Sequence, residues 1–357
     1  MSLAHRRLLL VLGLCALTSA ASAARARREE GSASTTEINP DDFRSAIAID
    51  AATGKVLVEI KPDDQNPPAS VAKLMTFLIV ADKIQHGEIA LTTPVTIPRE
   101  AAKMGGSEAW LMDKEVVPVE ELLYLLMVQS ANDAAMALAI QTAGSRDAFV
   151  DLMNAKAREL GMTHTIFHSP HGLPPGRGQE PDLTTARDIA ILSRELINHT
   201  DILRYTSTKS HEFRHANGVL NKFENHDHLL GSLPGCDGLK TGWYAKAGYS
   251  IALTVQRNGR RVIAVVLGCP QRVMRDNIAA RLIERGFAAL PPAPVAAAPA
   301  VAAAPAAGPA SSPAAAAPAP AGAPGIKLVP MSSADKQALE GGDSGDTVHV
   351  DLSQAKK

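Results

Sequence analysis

Strand-type patterning at both ends of the foldable part, with only helical patterning between, is what most constrains this chain. Ser45–Asp50 and Lys55–Ile60 read as two strands joined by a turn at Thr53-Gly54. Nearly two hundred residues later, Asp237–Gly242, Tyr249–Gln256 and Arg261–Leu267 read as three more, with Asn258-Gly259 as a tight hairpin turn. A pair of strands alone is marginal in water, so the early pair is expected to join the late three in one sheet. Between them, Pro67-Pro68 breaks the chain and Ser70–Ile84 carries apolar residues at helical spacing. Further helical patterning covers Pro118–Ala143, interrupted near Ser130, then Ser145–Leu160 and Thr184–Asn198. His168–Pro181, rich in Gly and Pro, is a loop, and Arg275–Phe287 is a closing helix. The predicted class is α/β of the α+β type: an antiparallel sheet flanked by helices, with the middle helices forming an all-helical lobe.

The ends of the chain bound this unit. Arg6 and Arg7 precede an apolar run, Leu8–Leu17, and Ala21-Ser22-Ala23 offers a small-residue cleavage site, so residues 1–23 read as a secretory signal peptide. The run is short for a membrane span, and no later stretch is long and apolar enough, so no transmembrane anchor is expected after cleavage. The protein is therefore expected outside the cytoplasm, in the periplasm or cell-wall space. Residues 24–40 are read as a flexible lead-in and 41–290 as the folded unit. Residues 291–325 are almost entirely Ala and Pro, an extended spacer on the order of 100 Å if fully stretched. Residues 326–357 form a mixed-charge tail expected to be disordered. A net charge of −1 and no basic stripe interleaved with aromatics argue against a nucleic-acid partner.

Three short motifs carry chemistry by their order and placement. Ser70-Val71-Ala72-Lys73 opens a helix, so Ser70 and Lys73 share a face and the helix N-terminus favours a developing anion beside the serine. Ser130-Ala131-Asn132 falls in the break between helical runs, where side chains can project into a cleft. Lys240-Thr241-Gly242 lies on a strand, whose edge can pair with an extended peptide. A serine hydroxyl is a weak nucleophile until a neighbouring base takes its proton. Lys73 can be that base only when neutral, which burial and a second cation such as Lys240 promote. Ser130 would pass the proton to a leaving amine, Asn132 would donate to a substrate amide carbonyl, and Lys240 with Thr241 would hold a substrate carboxylate. The backbone N–H groups of Ser70 and Trp243 are candidates for an oxyanion hole.

These motifs, with Pro68-Ala69 before the serine, His171-Gly172-Leu173, Thr185-Ala186-Arg187-Asp188, Asp237-Gly238-Leu239 and Ala247-Gly248-Tyr249, resemble the D-alanyl-D-alanine carboxypeptidase family of low-molecular-mass penicillin-binding proteins over about residues 40–288. The resemblance implies a β-lactamase/transpeptidase-like fold with the active site between sheet and helical lobe. It implies a Ser70 acyl-enzyme that removes the terminal D-alanine from peptidoglycan stem peptides, and β-lactam antibiotics as covalent inhibitors of the same serine. By position Arg275 resembles a family arginine that helps bind the terminal carboxylate, alongside Lys240, Thr241 and Gly242. Trp243-Tyr244 and the long stretch Pro174–Asp182 depart from the family pattern. No C-terminal β-domain or amphipathic anchor is expected after Phe287.

Two other activities share the machinery: a D,D-endopeptidase cleaving cross-links, and a non-enzymatic penicillin-binding wall sensor, against which the intact Ser70/Lys73 pair argues. A class A β-lactamase needs a glutamate for its hydrolytic water, and Glu195-Leu196-Ile197-Asn198 has the wrong spacing for that motif. No cofactor or metal is expected. His226-Asp227-His228, with His211 and His215 nearby, are read as solvated loop histidines, since single-residue spacing is no ligand pattern. Cys236 would begin one strand and Cys269 end another two reversals later, at opposite ends of the sheet, so they are expected to stay unpaired.

Overall fold

The structure, a computed structural model, describes residues 38–291. The expected signal peptide, nearly all of the lead-in, and the Ala/Pro spacer and tail from residue 292 onward lie outside the described residues.

Both ends of the folded unit meet in one five-stranded sheet of order β2-β1-β9-β8-β7, every neighbouring pair antiparallel. Its strands are β1 (Ser45–Asp50), β2 (Val56–Ile60), β7 (Cys236–Tyr244), β8 (Gly248–Arg257) and β9 (Arg260–Cys269). Side chains of a strand alternate between faces, and both faces are covered here. Ala46, Ala48, Val262, Ala264 and Val266 pack under the C-terminal helix with Ile278, Leu282 and Ile283. Their strand neighbours Ile47, Ile49, Ile263, Val265 and Leu267 join the larger core of the helical side. A one-residue slip of β9 would exchange the two sets, so this double burial also fixes the register.

The helical side is built from α1 (Lys73–Gln85), α2 (Asn132–Ala143), α3 (Arg146–Glu159) and α4 (Ala186–His199), and α5 (Arg272–Ala289) covers the other face of the sheet. Ser145 and Thr185 cap α3 and α4 by accepting from the N–H three residues on. α1 is buried at nine consecutive positions, Lys73 to Ala81, which makes it the central helix of the lobe. Among the described residues no helix is long and apolar enough to cross a membrane.

Two expectations need correction. The helix expected from Ser70 begins as a 3₁₀ turn, Ala69–Ala72, and becomes α-helical only at Lys73, so Ser70 precedes the α-helix N-terminus. In a 3₁₀ turn residues three apart eclipse one another, so the Ser70–Lys73 juxtaposition survives the change. The stretch holding His211 and His215 is not a solvated loop but a hairpin, β5 (Ser210–Arg214) with β6 (Leu220–Glu224). His211 stacks on Tyr124 with ring centroids 4.5 Å apart and bonds Glu121 at 2.9 Å. His215 is buried against Glu115 at 3.2 Å. A further short pair, β3 (Pro94–Thr96) and β4 (Val116–Pro118), also escaped the pattern reading. Cys236 and Cys269 are free thiols at opposite ends of the sheet, and burial pushes the pKa of each up to about 12.

Candidate active site

The turn that carries Ser70 is fixed from both sides. Asn66, just before Pro67-Pro68, exchanges backbone hydrogen bonds with Thr184 at 2.9 and 3.1 Å, and its side chain donates to the Ala247 carbonyl at 3.0 Å. Ala69 then takes a left-handed backbone (φ +49°), which turns the chain sharply into the 3₁₀ turn. β7 presses against this turn at Gly242, where an added Cβ would lie 2.7 Å from the Pro68 carbonyl oxygen and 3.0 Å from the Ser70 nitrogen. Gly172 approaches from the loop side; a Cβ there would meet the Ala69 carbonyl oxygen at 1.9 Å. Only glycine permits either approach.

Lys73 is fully buried, and its Nζ has three partners: Ser70 Oγ at 2.9 Å, Asn132 Oδ1 at 2.7 Å and the His171 carbonyl oxygen at 2.8 Å. The Asn132 amide orientation follows from its other end, where Nδ2 donates to the Gly105 carbonyl at 2.7 Å and so leaves Oδ1 facing the lysine. Burial, and then the Lys240 charge, hold the Lys73 pKa well below the usual lysine value; Asp133 and Asp182 oppose the shift. A neutral amine has two N–H bonds and one lone pair. The Asn132 and His171 oxygens can only accept, so they take the two N–H groups. The lone pair is left for the Ser70 hydroxyl, which can donate. This geometry readies the amine to take the proton from Ser70 Oγ.

Ser130 ends a π-helical turn, Leu125–Gln129, in the left-handed region at φ +61°, and its N–H returns to the Leu125 carbonyl. Its Oγ is buried with no hydrogen-bond partner, in a structure where most buried polar atoms are paired. Next to it, Asp133 accepts from the N–H groups of Ala109 (3.1 Å), Leu111 (3.0 Å) and Ala134 (2.9 Å), which ties loop 105–112 to α2; Asn132 N–H donates to the Ser107 carbonyl at 2.8 Å. On the far wall Lys240 is buried, with Nζ 3.1 Å from the Thr241 carbonyl oxygen. Burial brings its pKa down to about 7; Asp227 opposes this and Arg275 adds to it. Arg275 is also buried, its guanidinium paired with Asp276 at 2.5 Å and reaching the Ser250 carbonyl at 3.5 Å. Trp243 follows Gly242 in the strand against the Ser70 turn; the residue is 55% exposed and its indole stacks on Tyr249.

The structure thus brings Ser70, Lys73 and Asn132 into direct contact, and sets Gly242 against the serine's turn with Lys240 electrostatically coupled to Lys73. Three contributors were not read as site residues. The His171 carbonyl completes the lysine's partners, and Asp133 anchors the loop beside Asn132. Asp182 holds the His171 loop by accepting from Ser169 Oγ and from two N–H groups. Each lies inside or beside a quoted motif, but what it does is a hydrogen bond to a distant part of the chain.

Residues 32–271 match the family described as D-alanyl-D-alanine carboxypeptidase. D-alanyl-D-alanine carboxypeptidase DacF of Bacillus subtilis is 33% identical over 78% of this chain and 69% of its own length. DacC of Escherichia coli is 37% identical over 71% of this chain and 63% of its own. The chain therefore spans under two thirds of the Escherichia coli relative. Among solved structures, ampicillin-bound penicillin-binding protein D2 of Listeria monocytogenes superposes with a TM-score of 0.61 at 30% identity, covering 69% of this chain and 97% of that one.

Proposed function

The chain belongs to the D-alanyl-D-alanine carboxypeptidase family of serine peptidases, and from that premise we propose that it removes the terminal D-alanine from peptidoglycan stem peptides through an acyl-enzyme on Ser70. The observation that carries this reading is the buried Lys73 Nζ, held between the Asn132 and His171 carbonyl oxygens and within hydrogen-bond distance of Ser70 Oγ.

Lys73 takes the Ser70 proton as Oγ bonds to the carbonyl carbon of the penultimate D-alanine. The oxygen that becomes negative is met by the Ser70 and Trp243 N–H groups, and the adjacent amide of the substrate by Asn132. As the C–N bond breaks, the leaving nitrogen of the terminal D-alanine receives a proton from Ser130 Oγ. Lys73, now protonated, replaces that proton, which gives the unpartnered buried hydroxyl its use. Lys240, Thr241 and Gly242, with the Arg275 charge behind them, hold the terminal carboxylate. Water then attacks the Ser70 ester with Lys73 again as base; the shortened peptide leaves with a new carboxyl group and Ser70 regains its hydrogen. β-Lactams, whose strained amide resembles the scissile bond, acylate the same oxygen. The reading places residues 41–290 as the catalytic unit and residues 291–325 as a spacer. Residues 1–23, read as a leader, support a location in the periplasm or cell-wall space.

Mass spectrometry of the mature protein with penicillin, then D-alanine release from a D-Ala-D-Ala-ended pentapeptide, tests this. A Ser70 adduct with D-alanine release is the expected result. An adduct without release would point to cross-link cleavage or sensing instead, and no adduct would overturn the Ser70 assignment.

A further inference from the structure

The β5–β6 hairpin carries two histidines that the reaction scheme leaves unused, and both grip the part of the chain that leads to Ser130. His211 stacks on Tyr124 and bonds Glu121, in the short helix Val119–Tyr124 that runs into the π-helical turn ending at Ser130. At the hairpin tip the contact is a buried clamp. Glu115 accepts from the Met112 N–H at 3.0 Å and from the Ala216 N–H at 2.9 Å, and His215 Nδ1 lies 3.2 Å from both of its carboxylate oxygens. Asn221 holds the other ring nitrogen at 3.0 Å. Burial alone would raise the Glu115 pKa, but the Met112 and Ala216 N–H groups and His215 outweigh it and hold it below the usual carboxylate value. Beside the clamp, buried Phe223 of β6 packs on Trp110 with ring centroids 5.7 Å apart.

Trp110 and Met112 end loop 105–112, and the start of that loop holds the residues on both sides of Ser130-Ala131. The Glu108 carbonyl accepts from Gln129 Nε2 at 3.1 Å, the Gly105 carbonyl from Asn132 Nδ2 at 2.7 Å and the Ser107 carbonyl from the Asn132 N–H at 2.8 Å. The root of the hairpin is tied to the opposite wall of the cleft. Asn225 Nδ2 donates to the Thr206 and Thr208 carbonyls, and Thr206 Oγ1 donates at 2.8 Å to the carbonyl of Asp237, three residues before Lys240. The hairpin therefore runs from the strand of Lys240 to the loop that frames Ser130. Among the described residues the buried Ser130 Oγ has no hydrogen-bond partner, so its direction depends on how firmly these segments hold its backbone.

We propose that Glu115 is a positioning residue for proton donation by Ser130: clamped to His215 and Ala216, it makes the β5–β6 hairpin the brace that aims the Ser130 hydroxyl at the leaving nitrogen. The inference rests on the carboxypeptidase reading. It also gives the buried His215 a use that needs neither a metal nor a ligand.

The test varies the leaving group. With a D-Ala-D-Ala-ended peptide, Ser70 Oγ bonds to the carbonyl carbon, the C–N bond breaks and the departing nitrogen takes the Ser130 proton. With the matched thioester, D-thiolactate replacing the terminal D-alanine, the same O–C bond forms and the C–S bond breaks, but sulfur leaves with its electron pair as a thiolate and needs no proton. Both substrates keep the terminal carboxylate. Glu115→Gln sets an amide nitrogen against the Met112 or the Ala216 N–H and so opens the clamp. Phe223→Leu removes the ring partner of Trp110, keeps an apolar side chain, and carries the test should Glu115→Gln fail to fold. Each variant is expected to lose roughly tenfold in kcat/KM for the amide and under about threefold for the thioester. Leu282→Ala, in the core on the far face of the sheet, is the control for plain instability and should leave the ratio of the two kcat/KM values as it is in the unaltered protein. A ratio that stays unchanged, or shifts the other way, in either folded variant overturns the positioning role and spares the carboxypeptidase reading. An unaltered protein that cleaves neither substrate, or only the thioester, defeats that reading and the inference with it.

Discussion

Replacing Gly172 by alanine is the sharpest structural test of how the Ser70 turn is held. Two effects add. Gly172 sits at φ +79°, where a Cβ costs about 1–2 kcal/mol. That Cβ would also lie 1.9 Å from the Ala69 carbonyl oxygen, against the ordinary contact of about 3.4 Å, so the His171–Gly172 backbone must retreat by about 1.5 Å. The retreat carries away the His171 carbonyl, which holds Lys73 at 2.8 Å, and a buried hydrogen bond lost in this way costs about 1–3 kcal/mol. Together the destabilisation is about 2–5 kcal/mol, a fall in Tm on the order of 10 °C for a domain of this size. A displacement of about 1 Å at the base is enough to slow acylation about 100-fold. Gly87→Ala is the control: its φ is +70°, but nothing lies within 4 Å of the added Cβ, so only the backbone cost applies and acylation is unaffected. Thermal unfolding and stopped-flow acylation by a chromogenic β-lactam measure both quantities. If Gly172→Ala matched Gly87→Ala in both, the close approach would not be what positions the turn.

Four further outcomes follow from the same geometry. Because Lys240 helps hold Lys73 neutral, Lys240→Met should raise the Lys73 pKa and move the acid limb of the acylation profile to higher pH; an unmoved limb would uncouple the two lysines. With its own pKa near 7, Lys240 loses its charge as pH rises through neutrality, so KM for a carboxylate-ended peptide should climb above about pH 7 while kcat holds; a KM flat to about pH 9 would argue against the carboxylate role. Ser130→Ala removes a buried hydroxyl that has no partner, so chemical denaturation should show unchanged or higher stability, by up to about 1–3 kcal/mol. D-alanine release by the same variant should fall by about 10²–10⁴, and a variant that is both destabilised and active would refute that account. Asp133→Asn puts an amide where three N–H groups need acceptors, and should cost about 1–3 kcal/mol in thermal unfolding.

What the chain shows before folding is its local order. The apolar runs of β1 and β9 and the breaks at Pro67-Pro68 and Ser130 are properties of neighbouring residues, so the sheet and the motif-bearing elements were legible. The β5–β6 hairpin was not. Ser210–Arg214 and Leu220–Glu224 are polar and alternate weakly, and their histidines are explained by Glu115 and Glu121, about a hundred residues away. For the same reason the sequence reveals Lys73 but not the His171 carbonyl, a backbone atom with no residue-type signature. It reveals Asn132 but not that Asp133 beside it anchors a loop.

The non-glycine residues with left-handed backbone show where the fold spends stability. There are six among the described residues, and three of them, Ala69, Trp110 and Ser130, lie in the three segments that frame the cleft. Each such residue costs about 1–3 kcal/mol and persists only where its surroundings over-determine it. Here the surroundings can be named. Ala69 is wedged between the close approaches of Gly172 and Gly242; Trp110 lies between two N–H groups, of Ala109 and Leu111, that bind one carboxylate; Ser130 is capped by the Leu125 carbonyl. A buried lysine whose pKa is held well below its ordinary value and an unsatisfied serine hydroxyl sit between them. A stability optimum would remove all of these features, starting with the lone hydroxyl. The proposed mechanism gives each of them a use: Ser130 meets a leaving nitrogen, Ser70 a carbonyl carbon and Lys240 a carboxylate.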